Sequence, residues 1–219
     1  MNRTLIVLHG GMILQADLEI FAKSADFVIA ADGAANTLAS YKLTPDVIVG
    51  DWDGIDPAVN NLFSDVEKIK DLSQETTDFE KAIQYVQKNN QAKQAIVLGA
   101  EGNRIDHTIC ALGASKLLAE TCETSFVFRA SIAHLLLPSG NHELNAGYAG
   151  AYVSVVPILH SKVKSSYGLK WNLNNLELEL GKRDGVSNRA ESNKISLELE
   201  YGFVAVFIER TGNEIPWQR

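Results

Sequence analysis

The sequence predicts an α/β region with a parallel sheet over residues 1–130, followed by an all-β region of antiparallel strands over residues 131–219. Three observations carry this. From Thr4 to about Arg129, continuous apolar runs alternate with helical patterns, and strand, helix, strand, helix implies parallel pairing with right-handed crossovers. After about Ala130 the texture changes to short segments in which apolar and polar residues alternate, separated by Gly, Asn and Ser. The chain has 219 residues, 46% hydrophobic and 21% charged, which is enough for one large or two smaller cores and unlike a disordered or low-complexity chain.

In the first region the strand candidates are residues 5–8, 27–31, 47–49, 95–98 and 126–128. Most are rich in Val and Ile without polar interruption, as strands covered on both faces are. Between them, Phe79, Ile83 and Val86 fall on one face of a helix starting near Thr77, and Ile105, Ile109, Leu112 and Leu117 mark another starting beside Asp106, with Cys110 filling a helix face. In the second region the candidates are residues 134–137, 152–156, 176–180, 195–200 and 203–208. The runs LELEL and ISLELE alternate as strands with one wet face do. Residues 138–150, PSGNHELNAGYAG, fit either a hairpin or a loop.

Lys and Arg number 20 against 27 Asp and Glu, a formal charge of −7, and the cations are scattered. Without a basic stripe, nucleic acid is not an expected partner, and an anionic substrate would need a cation to help hold it. Cys110 and Cys122 form no CxxC pair, and His107 with Cys110 lacks the second pair that a zinc site needs. The opening MNRTLIVLHGG has no cleavage pattern and reads as a first strand, and no apolar run approaches the roughly 20 residues that span a bilayer. A cytoplasmic, reduced location without a membrane is the expectation.

In an open parallel sheet, ligands sit beyond the carboxyl ends of the strands. Four polar clusters fall there or at helix starts: Asp32-Gly33, Asp51-Trp52-Asp53, Thr77-Asp78 and the stretch from Gly99 to Asp106. Asp51 and Asp53, two apart, project to the same side, where their repulsion is costly unless a cation sits between them. An incomplete shell of hard oxygens suits Mg²⁺, although an Asp-rich turn closed by Asp56-Pro57 has the same sequence. Thr77-Asp78 reads equally as helix capping, with Thr77 as cap and Asp78 facing a metal. In GAEGNRIDH, Gly99 and Gly102 let backbone amides approach phosphate oxygens and Arg104 offers a planar fork; the segment is neither a Walker A nor a GxGxxG. Further on, Trp171 of GLKWNL could stack on a flat heterocycle that Ser187 and Asn188 of GVSN select by hydrogen bonds, or the two could be a core tryptophan and a turn.

In their order, these motifs resemble the thiamine pyrophosphokinase family: DGAAN at 32–36, PDVIVGDWDGI at 45–55, QETTDFEKAI at 74–83, GAEGNRIDHT at 99–108, GLKWNL at 168–173 and GVSN at 185–188. The resemblance implies a Rossmann-like catalytic domain that binds ATP and Mg²⁺, a β-sandwich domain that binds thiamine and dimerises, and a homodimer with active sites between subunits. It implies transfer of a diphosphate group from ATP to the hydroxyethyl oxygen of thiamine, leaving AMP. By matching position, Asp51, Asp53 and Asp78 would hold Mg²⁺; Asp32, Gln74, Thr77, Gly99, Gly102, Arg104 and Asp106 would line the nucleotide; and Trp171, Ser187 and Asn188 would hold the pyrimidine ring. The chemistry would rest on Asp51, Asp53, Asp78, Arg104 and Asp106. The chain departs from the pattern at Trp52, where Phe is common, at Gly54, where Ser is usual, at Thr76, and at Arg189, where many bacterial members have Glu. Two alternatives stand beside this reading: a diphosphokinase for another hydroxymethyl heterocycle such as a pterin, and a binding module without catalysis.

Overall fold

The structure, a computed structural model, describes residues 2–11, 13–89, 92–102, 104–212 and 217. It separates into two compact units, Met1–Val127 and Phe128–Arg219.

Unit 1 runs β1 (Arg3–Val7), α1 (Gln15–Ser24), β2 (Phe27–Ala31), α2 (Ala34–Ser40), β3 (Val47–Gly50), α3 (Pro57–Leu62), β4 (Glu67–Lys70), α4 (Asp78–Asn89), β5 (Gln94–Leu98), α5 (Ile105–Ala119) and β6 (Glu123–Val127). The strands pair in parallel in the order β6-β5-β1-β2-β3-β4. The chain winds from β1 out to β4 and then adds β5 and β6 on the other side, so the winding reverses between β1 and β5. In register, Ile6 lies between Ile29 and Val97, all three fully buried. Each such side chain contributes about 1.5–3 kcal/mol over leaving it exposed. The expected strands are all present; most ends shift by no more than two residues, and the last strand begins at Glu123, three residues before the expected start.

Two features of unit 1 depart from the sequence expectations. The first is β4, whose sequence EKIK has no apolar run because it is an edge strand carrying the charges that protect an edge. The second is the orientation of α5: Ile105, Ile109 and Leu117 are exposed, as is Cys110, whereas Ala111, Ser115 and Leu118 are buried. The helix is apolar on several sides, so its pattern does not select a face. Asp56-Pro57 does more than close a turn. Asp56 caps α3, its carboxylate accepting the Ala58 N–H at 2.7 Å with Pro57 in the first turn.

Unit 2 comprises β7 (Ser131–Leu136), β8 (Asn141–Asn145), β9 (Tyr152–Tyr167), β10 (Leu176–Leu178), β11 (Gly185–Arg189) and β12 (Lys194–Glu209), paired antiparallel. Residues 138–150 thus contain a strand, β8. The segments 195–200 and 203–208 are one continuous strand, β12, irregular in its register against β9 from Glu198 to Val204. Gly202 (φ 101°) makes this possible, because a Cβ there would lie 2.2 Å from Ser161 Oγ. That buried hydroxyl accepts the Phe203 N–H at 3.0 Å and donates to the Leu159 carbonyl at 2.7 Å. The first part of β12 pairs with β8, its last part with β7, and nearly its whole length with β9. Leu144, Val153, Val155, Leu178, Leu197 and Val206 belong to one buried cluster.

Candidate active site

At the carboxyl end of β2, Asp32 is buried and left-handed (φ 43°), a conformation that aspartate tolerates better than most residues. Its Oδ1 accepts the Trp52 N–H at 2.8 Å and its Oδ2 accepts the Gly54 N–H at 3.1 Å. One carboxylate therefore braces the loop after β3, in which Trp52 is also left-handed (φ 72°). A Cβ on residue 54 would lie 2.3 Å from Asp32 Oδ2, so a side chain there would shift this carboxylate from its present position.

The braced loop carries Asp51 and Asp53. One carboxylate oxygen from each of Asp32, Asp51 and Asp53 lies within 4.8 Å of the others. The Asp53 N–H donates to Asp51 Oδ1 and Gln74 Nε2 donates to Asp51 Oδ2, both at 3.2 Å. Those bonds, the backbone one first, hold the Asp51 carboxyl below its ordinary range. Asp53 is pushed upward, first by the charge of Asp51, then by desolvation and by Asp32. Three hard oxygen donors that repel one another fit a divalent cation such as Mg²⁺.

Beside this trio stands a buried cation. Lys81 is 4% exposed, and its Nζ lies 3.2 Å from Asp78 Oδ1. Helix α4 packs on β2 and β3, and the Lys81 charge lowers Asp51 and Asp53 as well. Desolvation nevertheless leaves the half-buried Asp78 raised. Sequence reasoning gives Lys81 no part. The available signal is a lysine next to Ala82 and Ile83, inside the arc that buries Phe79 and Val86. Thr77 is the cap that its sequence suggests: its Oγ1 accepts the Glu80 N–H at 3.3 Å, while Glu80 Oε2 accepts the Thr77 N–H at 2.8 Å.

After β5, Arg104 forks onto Asp106, with Nη2 to Oδ2 at 2.6 Å and Nε to Oδ1 at 3.0 Å. This exposed pair holds the Asp106 carboxyl down at about 2. The glycines of this loop have a packing reason. A Cβ on Gly102 would lie 1.4 Å from the Gly10 carbonyl oxygen and one on Gly11 1.5 Å from that of Glu101, so the loops after β1 and β5 meet backbone to backbone at the winding reversal. Asn103 of the motif lies outside the described residues.

In unit 2, Trp171 is half-exposed with Lys170 Nζ 4.8 Å above its ring, and Asn188 is buried against the Trp171 backbone. Ser187 is left-handed (φ 63°) and exposed, and its N–H donates to Ser154 Oγ at 3.1 Å. Arg189 stacks on Tyr152, 3.6 Å from the ring centre, and donates to the Gly150 carbonyl at 2.7 Å. The structure thus gathers Asp32, Asp51, Asp53 and Gln74 in unit 1, pairs Arg104 with Asp106, and joins Trp171 to Asn188 in unit 2.

Comparison with known proteins gives two family matches in chain order. "Thiamin pyrophosphokinase, catalytic domain" matches residues 18–123, and "Thiamin pyrophosphokinase, vitamin B1 binding domain" matches residues 141–204. Thiamin pyrophosphokinase 1 of Caenorhabditis elegans is 27% identical over 185 residues, covering 80% of this chain and 75% of its own. Thiamine pyrophosphokinase 2 of Arabidopsis thaliana is 30% identical over 182 residues, covering 77% and 67%. Among solved structures, thiamin pyrophosphokinase from Candida albicans superposes with a TM-score of 0.80 at 22% identity, covering 95% of this chain and 88% of its own. The enzyme from Geobacillus thermodenitrificans does so at 0.80 and 21%, covering 97% and 100%. At these identities the structural likeness is one of fold.

Proposed function

The chain belongs to the thiamin pyrophosphokinase family and is a thiamine diphosphokinase, and from that premise we propose how its residues divide the work. The reaction moves a diphosphate group from ATP to the hydroxyethyl oxygen of thiamine, giving thiamine diphosphate and AMP. What carries this reading is the order of the two matched segments: the first holds Asp32, Asp51, Asp53, Asp78, Arg104 and Asp106, and the second holds Trp171, Ser187 and Asn188.

The hydroxyl oxygen attacks the β-phosphorus in line and AMP leaves, a reaction that is mostly positioning and charge stabilisation. Asp51 and Asp53, with Asp78 of α4, would hold Mg²⁺, while Asp32, whose two carboxylate oxygens accept from the backbone of the loop carrying Asp51 and Asp53, braces that loop. When bound, the cation supplies charge neutralisation on the phosphates. Arg104 binds phosphate oxygens as a planar fork, and Asp106 orients it. Gln74, Thr77, Gly99 and Gly102 line the nucleotide. Asp78 and Asp106 are the two candidates to take the proton of the hydroxyl, each already paired with a cation, Lys81 and Arg104 respectively. Trp171 stacks on the pyrimidine ring of thiamine, with Ser187 and Asn188 completing that subsite. Unit 2 is a β-sandwich that binds thiamine and dimerises, and unit 1 is the ATP and Mg²⁺ domain; the working form is a cytoplasmic homodimer with active sites between subunits.

The test is AMP release from ATP with Mg²⁺ and thiamine. AMP formed in step with thiamine diphosphate supports the reading. Preferential use of a hydroxymethylpterin in competition, or tight thiamine binding without AMP, would replace it with one of the two alternatives.

A further inference from the structure

Asn188 is 3% exposed, and its amide is committed to backbone. Its Oδ1 accepts the Trp171 N–H at 3.2 Å and the Arg189 N–H at 2.8 Å, and its Nδ2 donates to the Trp171 carbonyl at 2.6 Å. The neighbouring rung is ordinary backbone: the Lys170 N–H donates to the Arg189 carbonyl at 2.9 Å, and Leu169 bridges Ala190. At Trp171 the side-chain amide takes the place of the next backbone partner, donating and accepting as a peptide would. A bulge brings it there. Gly185 pairs with Val155 and Asn188 with Val153, three steps against two, and Ser187 is left-handed (φ 63°). The extra residue sets Gly185 and Asn188 on the same buried side and leaves Val186 and Ser187 exposed.

We infer that Asn188 is a positioning residue, a latch that acts on thiamine through Trp171, while Trp171 and Ser187 make the contacts. This rests on the proposed reading of Trp171 as the platform for thiamine. Only a neutral amide of this length serves both Trp171 groups: aspartate sets a carboxylate against the Trp171 carbonyl, and alanine leaves the N–H and C=O without partners.

Hydrogen exchange of the Trp171 amide in the ligand-free protein tests the latch directly, with the amides of residues 204–206 in β12 as the internal control. In Asn188→Ala, Trp171 exchange rises at least about tenfold while the β12 amides keep their rates. In AMP release, KM for thiamine rises about tenfold and kcat changes less than about twofold. Ser187→Ala raises KM without altering Trp171 exchange. Asn188→Val, which suits a strand and lacks both the acceptor and the donor, serves if the alanine variant does not fold, and gives the same pair of signals. Trp171 exchange at the wild-type rate in these variants overturns the latch, whatever happens to KM. A wild-type protein that turns over no thiamine, but whose Trp171 exchange responds to Asn188→Ala, removes thiamine from the reading and leaves the latch standing.

Discussion

In unit 1, carboxylate oxygens of Asp32, Asp51 and Asp53 lie within 4.8 Å of one another, the charge of Lys81 acts on Asp51 and Asp53, and Asp53 is raised by its neighbours' charge. In unit 2, Asn188 is as deeply buried as any of these groups, but its oxygen and nitrogen are both matched to the Trp171 backbone. The first arrangement is unbalanced until something positive arrives. The second is complete without a ligand. Residues that one family pattern would put in a single roster of site residues therefore divide into groups that wait for a partner and groups that hold a shape.

The largest effect expected from breaking this contrast is at Asp51. Asp51→Asn removes a charge from the unbalanced side, and AMP release should fall by roughly three orders of magnitude, about 4 kcal/mol, with the circular dichroism spectrum unchanged. Near wild-type Mg²⁺-dependent turnover in that variant would remove the metal assignment, as would activity that survives a chelator.

Next is Trp171, whose exposed ring is what the satisfied side presents. Trp171→Ala should raise KM for thiamine about 30-fold, some 2 kcal/mol, with kcat largely kept. A fall in kcat alone would place the indole elsewhere in the mechanism.

Lys81→Met sharpens the comparison by making unit 1 still less balanced. In a chelator the variant should lose about 1–2 kcal/mol of stability, because Asp78 keeps its partial burial without its partner. Saturating Mg²⁺ should restore part of that loss, so thermal unfolding should shift further on adding Mg²⁺ in the variant than in the wild type. An equal shift in both would mean that Lys81 does not share the work of charge compensation.

The smallest effect concerns Arg104 and Asp106, a pair that is balanced yet exposed. Arg104 depresses the Asp106 carboxyl from its ordinary 3.8 to about 2. Any stability it brings is thus present above the ordinary value and is lost as pH falls through about 2. An NMR titration should place the midpoint there, and Arg104→Gln should return it towards 3.8 with almost no change in melting.

How much of this was legible in the sequence follows from what each element buries. The parallel strands are visible because both faces are covered and the apolar run is unbroken, as at Ile48 and Val49. β4 is invisible because an edge strand is charged by necessity. The face of α5 is misassigned because Ile105, Ile109 and Leu117 carry as strong a signal as the side that is buried. β12 looks like two strands because Tyr201-Gly202 interrupts the alternation, and only the partner Ser161 explains why the glycine bends the strand without ending it. At the site, the acidic positions stand out by spacing alone. The brace from Asp32 to Trp52 and Gly54, the burial of Lys81 and the bond from Asn188 to Trp171 join residues 20, 22 and 17 positions apart, or depend on the packing of a helix, and no local pattern encodes them.

The three partners of β12 also set an order of events at the ribosome. The six parallel strands of unit 1 all lie before residue 128, so they can pair while the rest of the chain is still being made. In unit 2, β7, β8 and β9 all pair with the strand that reaches Glu209, so their exposed edges must wait until that strand has emerged. During that interval the nascent chain carries three unpaired edges, and this is when chaperone engagement should matter most to its yield.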